Sequence, residues 1–168
     1  MGFTDVTIRA FLGLGSNTGD REAYLDLAMQ TLHRQSHIFS IHASSVYETS
    51  PWGLKDQALF LNQVLEIQTA FQAEALLDTI REIEAQTGRQ RDIPWGPRTL
   101  DIDVLLYGNL HMRDEHLIIP HPRLHLRRFV LVPLAEVAPE VWVPGIRMTV
   151  RELLDQCPDD GTVTVYRK

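Results

Sequence analysis

The most strand-like stretch of the sequence is LDIDVLLY at residues 100–107. Alternate residues of a β-strand point to the same face, so the carboxylates of Asp101 and Asp103 stand side by side at its start. Leu105 and Tyr107 continue that face, which suits burial beyond the acids. The opposite face is apolar and consists of Leu100, Ile102 and Val104. The stretch therefore predicts a strand of a buried sheet with a pair of acids at one end.

Strands and helices interleave on both sides of this stretch. Branched and aromatic runs predict strands at residues 6–12, 38–47, 61–69, 117–119 and 162–166. Apolar residues at helical spacing predict helices after the N-cap Asp20 and over residues 72–86 (ending at Gly88), 129–135 and 150–156. Residues 13–17, GLGSN, predict a tight glycine turn after the first strand. Because strict βαβ repetition is absent, the sequence predicts an α+β sandwich on a mostly antiparallel sheet.

Length and charge restrict the function further. The chain has 168 residues, a formal net charge of −6 and one cysteine. The length fits a single domain, residues 1–168. Cys157 cannot form an internal disulfide, and no apolar run approaches the ~18 residues of a membrane span. An acidic balance disfavours the phosphate backbone of nucleic acids. We therefore expect a cytoplasmic monomer that acts on small molecules, with no membrane or nucleic-acid partner.

The paired acids need a positive partner. In a strand, Asp101 and Asp103 lie roughly 6–7 Å apart, and two like charges beside an apolar core are unfavourable. A hard divalent cation would satisfy them, because oxygen ligands suit magnesium, which also shares substrate phosphates. A structural network of nearby arginines would satisfy them too. Spacing alone leaves both explanations open.

Basic side chains are concentrated near these acids in the sequence. Arg89, Arg91 and Arg98 lie in one turn-rich segment with Trp95, and a second basic group occupies residues 120–128. Guanidinium groups match phosphate oxygens in geometry. A single arginine in such a loop is commonly just solvated. Two clusters in an acidic protein, however, predict a site for a polyphosphate bridged by metal.

The glycine turn completes no phosphate-binding fingerprint. Thr18 stands where the dinucleotide fingerprint needs its third glycine, and the sequence has no Gly-Lys-Ser/Thr of a P-loop. A polymerase-type nucleotidyltransferase would place Gly-Ser close to Asp-x-Asp. Here Gly15 and Asp101 are far apart, which excludes that class.

Several motifs in combination resemble one enzyme family. They are FLGLGSN at residues 11–17, YETSP at 47–51, DQ at 56–57, FLN at 60–62 and WGPRTLDID at 95–103. IPHP at 119–122 and RRF at 127–129 follow them. Together they are similar to the signatures of 6-hydroxymethyl-7,8-dihydropterin pyrophosphokinases (HPPK), enzymes of folate biosynthesis. The resemblance covers residues 6–140.

The resemblance implies a three-layer α-β-α, ferredoxin-like fold with a mostly antiparallel sheet. It also implies transfer of diphosphate from ATP, the co-substrate, to the hydroxymethyl group of 6-hydroxymethyl-7,8-dihydropterin, with release of AMP. Asp101 and Asp103 would hold two Mg²⁺ ions that bridge the ATP phosphates. Arg89 and Arg91 would act in catalysis from a mobile loop that closes over these phosphates. The other residues near ATP would be Glu84, Arg98, His121 and Arg127.

The same resemblance implies that the pterin ring stacks between Phe60 and Phe129. A flat heterocycle gains dispersion energy between two aromatic faces. Asn62 would bind the polar edge of the ring, because an amide supplies both a donor and an acceptor. The remaining substrate-binding residues would be Thr49, Ser50, Pro51, Trp52 and Trp95.

Two other functions stay open on the sequence alone. A different magnesium-dependent transferase would use ATP with another acceptor, which the set of Phe60, Asn62 and Phe129 disfavours. A non-catalytic pterin- or nucleotide-binding module would have no need for paired metal ligands, and Asp101 and Asp103 therefore speak against it.

Overall fold

The computed structural model describes residues 6–89 and 94–167. The ten strands found in these residues are β1 (Ile8–Ser16), β2 (Ile38–Ala43), β3 (Tyr47–Thr49), β4 (Phe60–Thr69), β5 (Asp101–Tyr107), β6 (Met112–Arg113), β7 (Ile118–Ile119), β8 (Trp142–Val143), β9 (Met148–Thr149) and β10 (Val163–Val165). The α-helices found there are α1 (Arg21–His33), α2 (Ala73–Gln86), α3 (Arg128–Val137) and α4 (Val150–Asp155). A short 3-10 helix, Leu124–Leu126, precedes α3.

The main sheet has six strands. Five of them lie in the order β10-β3-β4-β1-β5, and the sixth, β2, pairs with residues 65–69 of β4. These strand pairs are all antiparallel. Two hairpins, β6-β7 and β8-β9, lie outside this sheet. The predicted mostly antiparallel sheet is confirmed.

Helices cover both faces of the sheet. On one face, α1 and α2 bury apolar stripes that include Leu25, Leu32, Leu76 and Ile80 against the strands. On the other face, α3 and α4 pack against a second cluster on the sheet, which contains Leu105. Burying one stripe of each helix against a sheet is the general route to such a layered core. The predicted three-layer α-β-α class is therefore confirmed.

Helix ends follow the predicted signals. The Asp20 side chain accepts the backbone N–H of Ala23 at 3.1 Å and caps α1. Gly88 has φ of +68° and follows the C-cap residue Thr87 of α2, as the sequence predicted.

No helix in the described part of the chain is long and apolar enough to cross a membrane.

The predicted glycine turn at residues 13–17 is wrong, because β1 continues through Gly13 and Gly15 to Ser16. The reason for glycine at residue 15 is a close approach. A Cβ there would lie 2.8 Å from Oδ1 of Asn62, its partner on β4. The glycines that suggested a turn therefore belong to a strand, and at residue 15 the nearby side chain of Asn62 leaves no room for a Cβ.

The expected single strand over residues 38–47 is two strands. Ala43 lies opposite Leu65 and Tyr47 opposite Asn62, so four steps along this chain face three steps along β4. The extra residue bulges, and the side-chain hydroxyl of Ser44 accepts the Val64 N–H at 2.9 Å. The strand is therefore interrupted between Ala43 and Tyr47.

A bulge also changes the predicted face of Tyr107. Leu12 pairs with Val104 and Phe11 with Leu106, so one residue of β5 has no counterpart on β1. Beyond this irregularity the alternation shifts, and Tyr107 packs in the α1/α2 layer. Strict alternation predicted that Tyr107 shares the face of the two aspartates, and this prediction is wrong.

Candidate active site

One cavity of about 390 Å³ opens where the ends of β1, β4 and β5 meet the start of α3. Concave sites of this size with a few convergent polar groups are typical of small-molecule binding. Its lining includes most of the residues singled out from the sequence: Thr49, Ser50, Trp52, Phe60, Asn62, Trp95, Arg98, Asp101, Asp103, His121, Arg127 and Phe129.

At one end of the cavity, Asp101 is held by two arginines. Its Oδ1 lies 2.9 Å from Nη2 of Arg89, and its Oδ2 lies 2.5 Å from Nη1 of Arg98. Glu84 is buried, forms an ion pair with Arg89 and accepts the N–H of Ile102 at 2.9 Å. For Asp101, the arginine network considered from the sequence is present in the structure.

Asp103 has a different environment. About 37% of its side-chain surface is accessible, through the cavity. Even so, burial and the neighbouring charge of Asp101 raise the pKa of Asp103 to about 7. The charges of Arg127 and Arg98 lower this pKa, but by less. A carboxyl group with a raised pKa favours an added positive charge nearby. Asp103 is thus the acid in the cavity with the greatest need of a cation.

His121 lies beside Asp103, with Nε2 at 3.9 Å from Oδ2 of the acid. Its Nδ1 accepts the backbone N–H of Arg123 at 3.1 Å. Burial and the charge of Arg127 lower the pKa of His121 to about 4. The ring is therefore neutral near pH 7, and its proton lies on Nε2, facing Asp103.

The opposite end of the cavity is aromatic and carries the amide of Asn62. Phe60 and Phe129 line it from β4 and α3. Asn62 is 7% exposed and donates its Nδ2–H to the hydroxyl of Thr49 at 2.6 Å. This bond orients the amide, with Oδ1 towards Gly15 of β1. The end can therefore hold a flat ring that has polar atoms on its edge.

Two tryptophans and two arginines of the cavity lining contact one another. The rings of Trp52 and Trp95 meet edge to face at 5.3 Å. The guanidinium carbon of Arg127 lies 4.8 Å from the Trp52 ring and 5.6 Å from that of Phe129, and the guanidinium carbon of Arg123 lies 4.3 Å from the Trp95 ring. Cation–π contacts of this kind hold guanidinium groups in place. Arg123 and Arg127 thus bring positive charge to the cavity lining.

A side-chain network fixes the segment that leads to the acids. The amide of Asn17 accepts the N–H of Arg98 at 2.8 Å and donates to Oε1 of Gln57 at 3.0 Å. Gln57 in turn donates to the carbonyl of Trp95 at 2.8 Å, and Trp95 has φ of +64°. Such backbone values persist where the surroundings impose them. The sequence motifs contained Asn17 and Gln57 but suggested no role for either.

Some predicted site residues lie elsewhere. Glu84 and Arg89 are not among the residues that line the cavity. Arg89 contacts Asp101, and Glu84 contacts Arg89. Pro51 lines a neighbouring depression. Arg91 lies outside the described residues. Arg123, for which sequence reasoning had no individual role, lines the cavity; its position in the basic segment 120–128 was the available signal.

Comparisons with known proteins agree on one family. Residues 11–139 match the family model described as 7,8-dihydro-6-hydroxymethylpterin-pyrophosphokinase (HPPK). A 2-amino-4-hydroxy-6-hydroxymethyldihydropteridine pyrophosphokinase from Bacillus subtilis is 47% identical over 132 residues, 79% of each chain. The enzyme of the same name from Methylorubrum extorquens is 45% identical over 153 residues, 91% of this chain and 96% of its own.

Solved structures share the fold. An HPPK-DHPS from Plasmodium falciparum superposes with a TM-score of 0.72 over 90% of this chain, at 15% sequence identity. The chain spans 45% of the length of that protein. Because the family model matches most of the described sequence and the two bacterial relatives share nearly half of their aligned residues with it, the chain belongs to the HPPK family.

Proposed function

We propose that this protein transfers diphosphate from ATP to the hydroxymethyl group of 6-hydroxymethyl-7,8-dihydropterin, forming the pterin diphosphate and AMP in tetrahydrofolate biosynthesis. One observation carries the proposal. A single cavity joins an aromatic end with an oriented amide to an end with two carboxylates and several guanidinium groups. A transfer between a flat heterocycle and a polyphosphate needs both ends in one space.

The aromatic end suits the acceptor. Phe60 and Phe129 offer apolar faces for a bicyclic ring, and Asn62 offers hydrogen bonds to its edge. Because Thr49 takes one N–H of the Asn62 amide, the remaining polar atoms are presented in a fixed direction. Ser50, Trp52 and Trp95 line the same cavity and would complete the pterin site. Pro51, which the resemblance also implied, would act from the neighbouring depression.

The acidic end suits Mg²⁺. Asp101 and Asp103 both line the cavity, and two carboxylates with substrate phosphates form a usual magnesium environment. Within residues 6–89 and 94–167, no cluster of three or more acidic, His or Cys side chains is placed to hold an ion without such phosphates. Asp101 and Asp103 would hold two Mg²⁺ ions, which, when bound, would offset charge on the ATP phosphates.

The cationic side chains would position ATP. Arg98 and Arg127 line the cavity near the acids, and His121 presents its Nε2–H there. Arg89 and Arg91 would act on the phosphates, and Glu84 would lie near the nucleotide through its contact with Arg89. In phosphoryl transfer, positioning and charge stabilisation account for most of the rate, so the site requires no strong general base.

The test combines the purified protein with ATP, Mg²⁺ and 6-hydroxymethyl-7,8-dihydropterin and measures AMP. We expect AMP to form in proportion to the pterin diphosphate and to vanish when EDTA removes the metal. AMP no higher than in the metal-free control would refute the proposal. AMP formed equally well with an unrelated alcohol would indicate a transferase with another acceptor. Pterin binding without AMP would indicate the non-catalytic module.

The cytoplasmic location and monomeric state expected from the sequence stay predictions. Sedimentation of the purified protein over a range of concentrations tests the second of them. A mass above that of one 19.2 kDa chain would contradict it.

A further inference from the structure

The C-terminal segment from Asp159 to Tyr166 contacts both walls of the pterin end of the cavity. It lies beyond the part of the chain that matches the HPPK family model, residues 11–139, and the proposed function assigns it no role. One wall is the start of α3, which carries Phe129. The other is the end of β3 and the chain that follows it, which together carry Thr49, Ser50 and Trp52.

The first contact is at the start of α3. The N-cap residue of this helix, Arg127, makes no side-chain capping bond. Instead, Oδ2 of Asp159 accepts the backbone N–H of Arg128 at 2.9 Å, from 31 residues further along the chain. A carboxylate that accepts a first-turn N–H stabilises a helix start through the hydrogen bond and the helix dipole. Asp159 thus supplies the cap that the local sequence lacks.

The second contact is with the opposite wall. The Ser50 N–H donates to the carbonyl of Thr162 at 3.1 Å, and the Thr162 N–H donates to the hydroxyl of Ser50 at 3.0 Å. Val163 then pairs with Thr49 as β10 joins the sheet. Oδ1 of Asp159 accepts the N–H of Gly161 at 2.9 Å, which orders the turn into this pairing. One carboxylate is therefore bonded to α3 and to the segment that holds Ser50.

We propose that Asp159 is a positioning residue for the acceptor substrate: it sets the spacing between the wall that carries Phe129 and the wall that carries Thr49 and Ser50. The proposal rests on the proposed function, because it concerns pterin binding. Loss of the carboxylate leaves Arg128 N–H and Gly161 N–H without an acceptor, so both walls loosen at the pterin end. The acids Asp101 and Asp103 lie on β5, which neither contact of Asp159 reaches. Among the residues proposed to bind ATP, Arg127 lies next to Arg128 at the start of α3, so ATP binding should weaken as well, but less than pterin binding.

The experiment compares Asp159→Ala with Asp160→Ala and Asp159→Asn. Asp160 is exposed and adjacent, which makes it a control of the same residue type. Asn keeps one acceptor oxygen and loses the other. Dissociation constants for the pterin are measured by its fluorescence without ATP, and those for ATP with Mg²⁺ by calorimetry. For Asp159→Ala we expect about a tenfold weaker pterin complex and less than a twofold change for ATP, with Asp160→Ala unchanged and Asp159→Asn intermediate.

Hydrogen exchange of residues 46–53 and 127–133 is measured on the same proteins without ligand. We expect Asp159→Ala to accelerate exchange in both segments together, and Asp160→Ala in neither. Equal weakening of pterin and ATP, or faster exchange in only one segment, would overturn the proposal. If Asp159→Ala does not fold, the same comparisons apply to Asp159→Asn. If the wild-type protein forms no AMP in the test given above, the proposed function fails, and joint acceleration of the two walls still decides whether Asp159 couples them.

Discussion

The amide of Asn62 donates to the hydroxyl of Thr49 at 2.6 Å, which joins β4 to β3 at the aromatic end of the cavity. The other side of the same amide faces β1, where a Cβ at Gly15 would lie 2.8 Å from Oδ1. Asn62 is thus fixed by a hydroxyl on one neighbouring strand and by the lack of a side chain on the other. This arrangement leads to two predictions.

Gly15→Ala should weaken pterin binding strongly. The new methyl group overlaps Oδ1 of Asn62, so the amide must turn away from its position. The matched control is Gly13→Ala on the same strand, whose methyl group would come nearest to the side chain of Leu105, at an ordinary contact distance of 3.4 Å. We expect a loss of about tenfold or more in pterin affinity for the first variant and a much smaller one for the second, measured by fluorescence titration. Equal losses would contradict the role given to Gly15.

Thr49→Val should lower stability, because it leaves the Asn62 N–H without its acceptor in a buried place. An unpaired buried donor costs about 1–3 kcal/mol. Thr49→Ser keeps the hydroxyl and serves as the control. Urea denaturation of the three proteins measures the difference in free energy of unfolding. A Val variant as stable as the Ser variant would show that the bond contributes nothing.

Asp101→Ala and Asp103→Ala should each reduce AMP formation by orders of magnitude while the protein stays folded. Their effects on stability should differ. Asp101→Ala leaves Arg89 and Arg98 without their shared partner, so we expect a lower melting temperature. Asp103→Ala removes a carboxylate whose environment disfavours its charge, so the melting temperature should not fall. Retained turnover in both variants would remove the two acids from the metal site.

The raised pKa of Asp103 predicts a pH dependence of stability in metal-free buffer. The group binds its proton more tightly in the folded protein than in the unfolded chain, because its pKa rises from 3.8 to about 7. Its contribution is therefore fully present below about pH 4 and is lost as the pH rises towards 7. Asp103→Asn should lack this loss and gain stability over the wild type as the pH rises. A constant difference between the two proteins from pH 4 to 7 would contradict the prediction.

Glu136 predicts the opposite trend. Burial alone would raise its pKa, but hydrogen bonds from the Tyr47 hydroxyl at 2.5 Å and from Ser45 outweigh this and lower it. The carboxylate stabilises the fold above its ordinary pKa, and this contribution is lost as the pH falls through the lowered folded value. Glu136→Gln should be less stable than wild type near pH 7. We expect that deficit, measured by thermal denaturation, to shrink below pH 4.5.

Local patterns in the sequence predicted much of the fold. The pairing of Asp101 and Asp103 on one face, the cap at Asp20 and the helix end before Gly88 all depend on side-chain direction or backbone preference within a few residues. Such preferences act before any tertiary contact forms, so a single sequence contains them. The family motifs added the residues of the cavity, which lie far apart in the chain.

Tertiary structure decided what depends on a distant partner. Glycine at residue 15 is explained by Asn62 on another strand, and the face of Tyr107 by a bulge against β1. The cap of α3 comes from Asp159, and the raised pKa of Asp103 comes from burial and from charges on other elements. The sequence by itself determined which residues favour strand, helix or turn, and which acids stand together. Register, burial and long-range hydrogen bonds arise only when strands pair and layers pack, because each needs atoms that the local chain does not contain.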